Sequence, residues 1–204
     1  IEVFESAVQA GEEVIAIMFS SELSGTYNTA VTASKFTKPE KISVIDSRTA
    51  SYALESLIRL AVELRKEGKS RKEIVEIIER EKAKYSICLT VETLEYLKKG
   101  GRLSNAQAFL GSLLNIKPII ELTDGKLIAT DKVRGSKKAL KLMFNRIPED
   151  VKEIGIAYVC CYDKILPIKK ELENKFPNAK ISACELGIVI GSHLGIGAFG
   201  FCYK

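Results

Sequence analysis

No run of apolar residues in this chain approaches the roughly 20 that a helix needs to span a bilayer, and no charged segment leads into a short apolar core as in a secretory leader. The expected compartment is therefore cytoplasmic. None of the five cysteines (Cys88, Cys160, Cys161, Cys184, Cys202) belongs to a CxxC pair, and four lie in apolar strand-like runs, where a free thiol acts as a small hydrophobe. Neither structural zinc nor a disulfide framework is expected. A Walker A sequence and a GxSxG elbow are both missing, which argues against a P-loop or a serine-hydrolase turn. A single histidine, His193, severely limits Ser-His-Asp and metal schemes. Low-complexity tracts and internal repeats are also lacking.

What is there is an ordinary globular composition: 204 residues, 46% hydrophobic and 28% charged, enough for one large domain or two small ones. The net charge of +5 is mild but uneven. Lys132 to Lys141 ("KVRGSKKALK") holds five cations and no acid, whereas Glu76 to Lys84 mixes signs as a solvated helix does. Two readings of the basic stretch stand: an exposed helix face, or a docking surface for a phosphate, a nucleic acid or an acidic partner. The chain opens on Ile1, and Ile1, Phe4 and Val8 already repeat at helical spacing, so an upstream segment is expected.

Short β-rich runs alternate with helical patterns. Val14 to Phe19 is continuously apolar, as in a strand buried on both faces. A helix from about Thr26 to Phe36 and a strand from Ile42 to Ser47 come next. "SYALESLIRLAVELRKEG" reads as an amphipathic helix with Leu54, Leu57, Ile58, Ala61 and Leu64 on one face and Gly68 as its stop. Ser70 with Glu73 forms a capping box for a helix running through Lys84. This order predicts βαβ units and a parallel sheet over residues 1–85.

After Tyr85 the pattern changes. "SICLTV" is a strand, "ETLEYLKKGG" a short helix, and "SNAQAFLGSLLN" a second helix capped by Ser104. "KPIIEL", "TDG" and "KLIATDKVR" read as a hairpin, since Asp124-Gly125 readily takes positive φ. Strands at Ile154 to Cys161, Ile181 to Leu186 and Ala198 to Tyr203, with a helix from about Lys164 to Phe176, complete a mixed, partly antiparallel α/β domain over 86–204.

Ligands of doubly wound sheets bind beyond the carboxyl ends of strands. "SSELSG" stands there after the first strand and "DSRTAS" after the second. Hydroxyls and unpaired N–H groups at a helix N-terminus suit a carboxylate or a phosphate, while Ser24 or Ser47 could equally serve as a plain helix cap. His193 sits in "GIVIGSHLGIGAFG", among glycines that let the backbone approach something closely. It is either a structural imidazole or a donor to an anion.

Taken in order, "SSELSGTYNTA", "VIDSRTAS", "LEYLKKGGRLS", "LLNIKPII", "DGKL", "KVRGSKKAL" and "GSHLGIGAFG" resemble the successive signature segments of the DegV family of bacterial fatty-acid-binding proteins. The resemblance implies a two-domain α/β fold, with a parallel-sheet N-terminal domain of which 1–85 would be the remaining part. It also implies one long-chain fatty acid held between the domains as ligand, with no other cofactor. By the same resemblance Ser21 bonds the carboxylate, Ser20 and Ser24 shape the loop, His193 is the second polar contact, and Arg102 engages a separate fatty acid kinase catalytic subunit that phosphorylates the acid. The family's threonine-serine motif has no counterpart here, Ile196 replaces a usual proline, and Tyr52 follows Ser51 where a glycine is usual.

Two other classes stand beside this one. A stand-alone enzyme acting on a small anionic substrate at the serine loop would need an acid, base or nucleophile set that the chain does not signal. A nucleic-acid-binding regulator would use Lys132 to Lys141, without any helix-turn-helix or base-stacking motif to support it, so neither nucleic acid nor stable membrane insertion is expected.

Overall fold

The computed structural model describes residues 1–103 and 116–204; the helix expected at "SNAQAFLGSLLN", with its Ser104 cap, lies outside the described residues. The chain is α/β and divides into two compact units, Ile1–Lys84 and Tyr85–Lys204.

The first unit runs α1 (Glu2–Gln9), β1 (Val14–Met18), α2 (Thr26–Lys35), β2 (Ile42–Asp46), α3 (Ser51–Lys66) and α4 (Arg71–Glu81). β1 and β2 pair in parallel, from Val14 opposite Ile42 to Met18 opposite Asp46. Contrary to the sequence expectation, β1 is half-buried throughout. Among the described residues it pairs with β2 alone. The core is made by Ile45 of β2, Leu57 of α3 and Ile74 and Ile78 of α4.

The buried stripe of α3 is Ala53, Leu57 and Leu64, while Ile58 is 43% exposed, so the inward face is rotated from the expected one. Ala53 and Leu57 are both fully buried. Gly68 ends the helix at φ +81. Ser70 and Glu73 make the expected capping box, each bonding the other's backbone N–H. The α-helix stops at Glu81 and tightens into a 3-10 turn over Lys82–Lys84, three residues earlier than the periodicity suggests.

The second unit contains β3 (Ser86–Thr90), α5 (Glu95–Lys99), β4 (Ile116–Thr123), β5 (Lys126–Arg134), α6 (Ser136–Phe144), β6 (Glu153–Tyr158), α7 (Tyr162–Lys175), β7 (Lys180–Glu185), α8 (Ile188–Leu194) and β8 (Phe199–Tyr203). Among the described residues its six strands lie in the order β5-β4-β3-β8-β6-β7. Only β6 and β7 are parallel; the remaining neighbours are antiparallel. Asp124 (φ +48) and Gly125 (φ +78) close the β4–β5 hairpin, both in the left-handed region that such a two-residue turn requires. Phe201 of β8, Ile154 and Ile156 of β6, Met143 of α6 and Leu172 of α7 share one buried cluster. The basic stretch 132–141 spans the end of β5 and the start of α6, and its five cations are exposed. α8 was not anticipated: its glycines read as loop, yet the segment closes a seven-residue helix.

Candidate functional site

Because β1 and β2 are parallel and in register to their last residues, the loops that follow them leave the sheet side by side. Backbone bonds tie the two together. Ser47 N–H donates to the Met18 carbonyl at 3.1 Å, and Ser20 N–H donates to the Thr49 carbonyl at 2.9 Å. Ser20 is fully buried; its carbonyl accepts from the N–H groups of Leu23 and Ser24, and its Oγ from Glu22 N–H at 3.3 Å. Ser24 Oγ accepts from Thr26 N–H at 3.3 Å and shares a 2.7 Å hydrogen bond with Thr26 Oγ1 at the start of α2. These two serines hold the loop.

Ser21 is different. Its hydroxyl donates to Asp46 Oδ2 at 2.6 Å and its N–H to Asp46 Oδ1 at 3.1 Å. The same Oδ1 accepts Arg48 N–H at 2.9 Å, with Arg48 held at φ +54. Burial alone would push the Asp46 carboxyl up, but the Ser21 hydroxyl, the Arg48 and Ser21 N–H groups and the Arg48 guanidinium together hold it below its ordinary value. The loop thus already encloses an anion, one supplied by the chain itself. Asp46 lies within a stretch the sequence marks, yet its partnership with Ser21 shows only in the register that sets it opposite Met18. Beside it, Thr49 Oγ1 is buried with no hydrogen-bond partner among the described residues. Neither α2 nor α3 has an acid in its first turn, and the N-cap residues Gly25 and Ala50 make no side-chain cap; at α2 the Ser24 hydroxyl takes the Thr26 N–H instead.

In the second unit, half-buried His193 lies on the last turn of α8 and packs against the end of α5. A Cβ built on Gly100 would fall 2.2 Å from His193 Nδ1, so the imidazole occupies the space that glycine leaves open. Gly195, at φ +83, gives the Tyr96 ring the same kind of room. Arg102 is exposed, with its N–H on the Leu97 carbonyl and its guanidinium on the Gly100 carbonyl, and Leu103 behind it is anchored by a bridge to Leu127. One pair of helix ends, α5 and α8, therefore carries both His193 and Arg102. An open cleft of about 400 Å³ in this unit has Glu92, Tyr162, Lys164 and Gly197 in its lining, and His193 is not part of it. Lys117 and, at 3.4 Å, Lys164 pair with Glu92, and the Lys117 ammonium holds that carboxyl below its usual range. Ile196, where a proline was expected, is 70% exposed.

Among the described residues no group of three His, Cys, Asp or Glu side chains is placed to hold a metal ion, and no helix is long and apolar enough to cross a membrane.

The profile of the DegV family, described as a family of uncharacterised proteins, matches residues 1–204. A DegV domain-containing protein of Clostridium acetobutylicum is 36% identical over 210 residues, covering 98% of this chain and 73% of the relative. Among solved structures, DegV of Bacillus subtilis, described as a fatty acid binding protein, superposes with a TM-score of 0.87 at 31% identity, over 99% of this chain and 74% of that one. A DegV family protein of Thermus thermophilus, solved for its fatty acid binding, gives 0.86 at 34% identity over 100% and 74%.

Proposed function

We propose that this chain, which belongs to the DegV family, binds a long-chain fatty acid as its ligand, with Ser21 and His193 as the polar contacts of the carboxyl group and Ser20 and Ser24 as supports of the serine loop. The observation that carries this reading is the likeness, at 31% and 34% identity and over nearly the whole chain, to two proteins known to bind fatty acids. The energetics suit it. Burying about 14 methylenes at roughly 0.8 kcal/mol each yields about 11 kcal/mol gross, so few polar groups are needed for tight binding. Specificity for the acid then rests on a handful of donors and acceptors.

The finer reading is that the bound acid is presented to a separate fatty acid kinase catalytic subunit, with Arg102 in the contact surface. Its support is the resemblance of the "KKGGRLS" segment and the outward position of Arg102 at the end of α5. The protein would then be a lipid-binding accessory subunit and not itself an enzyme. A stand-alone enzyme at the serine loop is disfavoured, because a base that activates Ser21 should titrate near the working pH, and Asp46 is held below the ordinary carboxylate range.

Extraction of the purified protein with organic solvent, followed by mass spectrometry, tests the core of the proposal. Stoichiometric long-chain fatty acid is the expected result. Protein that is empty and also fails to take up added oleic acid would remove the lipid reading.

A further inference from the structure

A hydroxyl has one proton to give and two lone pairs with which to accept. The Ser21 proton is committed: Oγ lies 2.6 Å from Asp46 Oδ2, a charge-assisted distance, while Asp46 Oδ1 is filled by the Ser21 and Arg48 N–H groups. Turning the Ser21 proton outward would strip Oδ2 of its donor in a half-buried setting. A carboxylate brought to the outer side of Ser21 Oγ would therefore meet lone pairs, not a proton.

We infer that Asp46 is a positioning residue that makes Ser21 an acceptor toward the ligand, so that the head group docks with a proton of its own, and each fatty-acid anion taken from neutral solution brings one proton into the site. This rests on the assignment of Ser21 to the fatty-acid head group. In the docked state the acid O–H donates to Ser21 Oγ and Ser21 O–H donates to Asp46 Oδ2. Two carboxyl groups and one hydroxyl are served by two protons, and nothing but a solvent proton is consumed. The charged groups around this line are Glu22, paired with Arg48 at 3.8 Å in the serine loop, Arg48 itself, and Lys82, whose Nζ donates to the Asp46 carbonyl at 2.8 Å while pairing with Glu79. None of these replaces the Ser21 proton on Oδ2.

The arrangement predicts a ligand preference as well as a proton count. A neutral lipid with a donor head, such as oleyl alcohol, fits Ser21 Oγ, whereas methyl oleate offers only acceptors. Asp46→Asn reverses the logic. With its Oδ1 still accepting the two backbone N–H groups, its amide donates to Ser21 Oγ, and the Ser21 proton is freed to meet an anionic head.

The test is calorimetric titration of oleate into delipidated protein near neutral pH, in buffers of different ionisation enthalpy, with oleyl alcohol and methyl oleate as companion ligands. Expected are uptake of about one proton per oleate, an apparent affinity that falls about tenfold for each pH unit upward, and binding of the alcohol about tenfold tighter than of the ester. Asp46→Asn should abolish the uptake, and His193→Gln should retain it. Uptake lost in His193→Gln but kept in Asp46→Asn would place the proton on the imidazole and overturn the inference while leaving fatty-acid binding intact. Should Asp46→Asn fail to fold, the wild-type alcohol and ester decide, and equal affinities refute the proposal. Protein that binds none of the three ligands fails at the lipid reading itself, and the inference falls with it.

Discussion

Gly100→Ala offers a way to move His193 without touching it. The added Cβ would sit 2.2 Å from His193 Nδ1, 2.9 Å from Cε1 and 3.2 Å from the Tyr96 carbonyl. The two closest atoms are the far end of a side chain, so the imidazole swings away and the backbone stays. Gly100 itself has ordinary helical torsions (φ −74, ψ −12), which alanine adopts without strain. Alanine gains up to about 1 kcal/mol over glycine at a helical position, and the displaced histidine rotamer costs a similar amount. Unfolding free energy should therefore change by less than about 1 kcal/mol. Fatty-acid affinity should respond quite differently. If His193 donates to the carboxyl group, losing that bond to a neutral acid costs about 0.5 to 1.5 kcal/mol, a factor of about two to ten in Kd. Displacement of a fluorescent fatty acid by oleate, run beside urea unfolding on the same preparations, reads both quantities. Affinity unchanged in Gly100→Ala while His193→Ala loses it would refute the reasoning, because the contact would then be indifferent to the position of the ring. Affinity and stability falling together would refute it as well, since the substitution would be acting through the fold.

Two further outcomes follow from the same geometry. Arg102→Ala should leave lipid content intact and slow acyl-phosphate formation with the kinase subunit by about tenfold or more, because a charged group at a protein contact acts on association; equal rates would take Arg102 out of that surface. Asp46 should also mark the acid limb of the stability curve. Burial raises its carboxyl, but the Ser21 hydroxyl and the other donors prevail and hold it below 3.8, so its stabilisation is complete above that value and is lost as pH falls through the lower folded-state value. Urea unfolding at about pH 5 and about pH 3 should accordingly show wild type losing more stability than Asp46→Asn, and parallel losses would mean that the carboxylate is not held as described.

The elements that the sequence made legible are those with local causes. Asp124-Gly125 closes a hairpin because those two residues tolerate positive φ, Ser70 and Glu73 cap a helix three residues apart, and Gly68 ends one at φ +81. The features that stayed hidden depend on distant partners. Ile58 has the hydropathy of a core residue but is 43% exposed, because the face of α3 that turns inward is the one carrying Ala53, Leu57 and Leu64. α8 was masked by glycines that serve close packing: Gly195 stands where a Cβ would come 2.5 Å from the Tyr96 ring. Ser21 was singled out from a cluster of hydroxyls at a strand end, yet its chemistry is set by Asp46, 25 residues away. A parallel pairing that ends at Met18 opposite Asp46 brings an acid to the mouth of the serine loop, and an acid there takes up the protons that the loop was expected to offer a ligand. Reading a strand-end loop as an anion site therefore requires counting donors after the chain's own carboxylates are served; here the Ser21 hydroxyl proton is already given to Asp46.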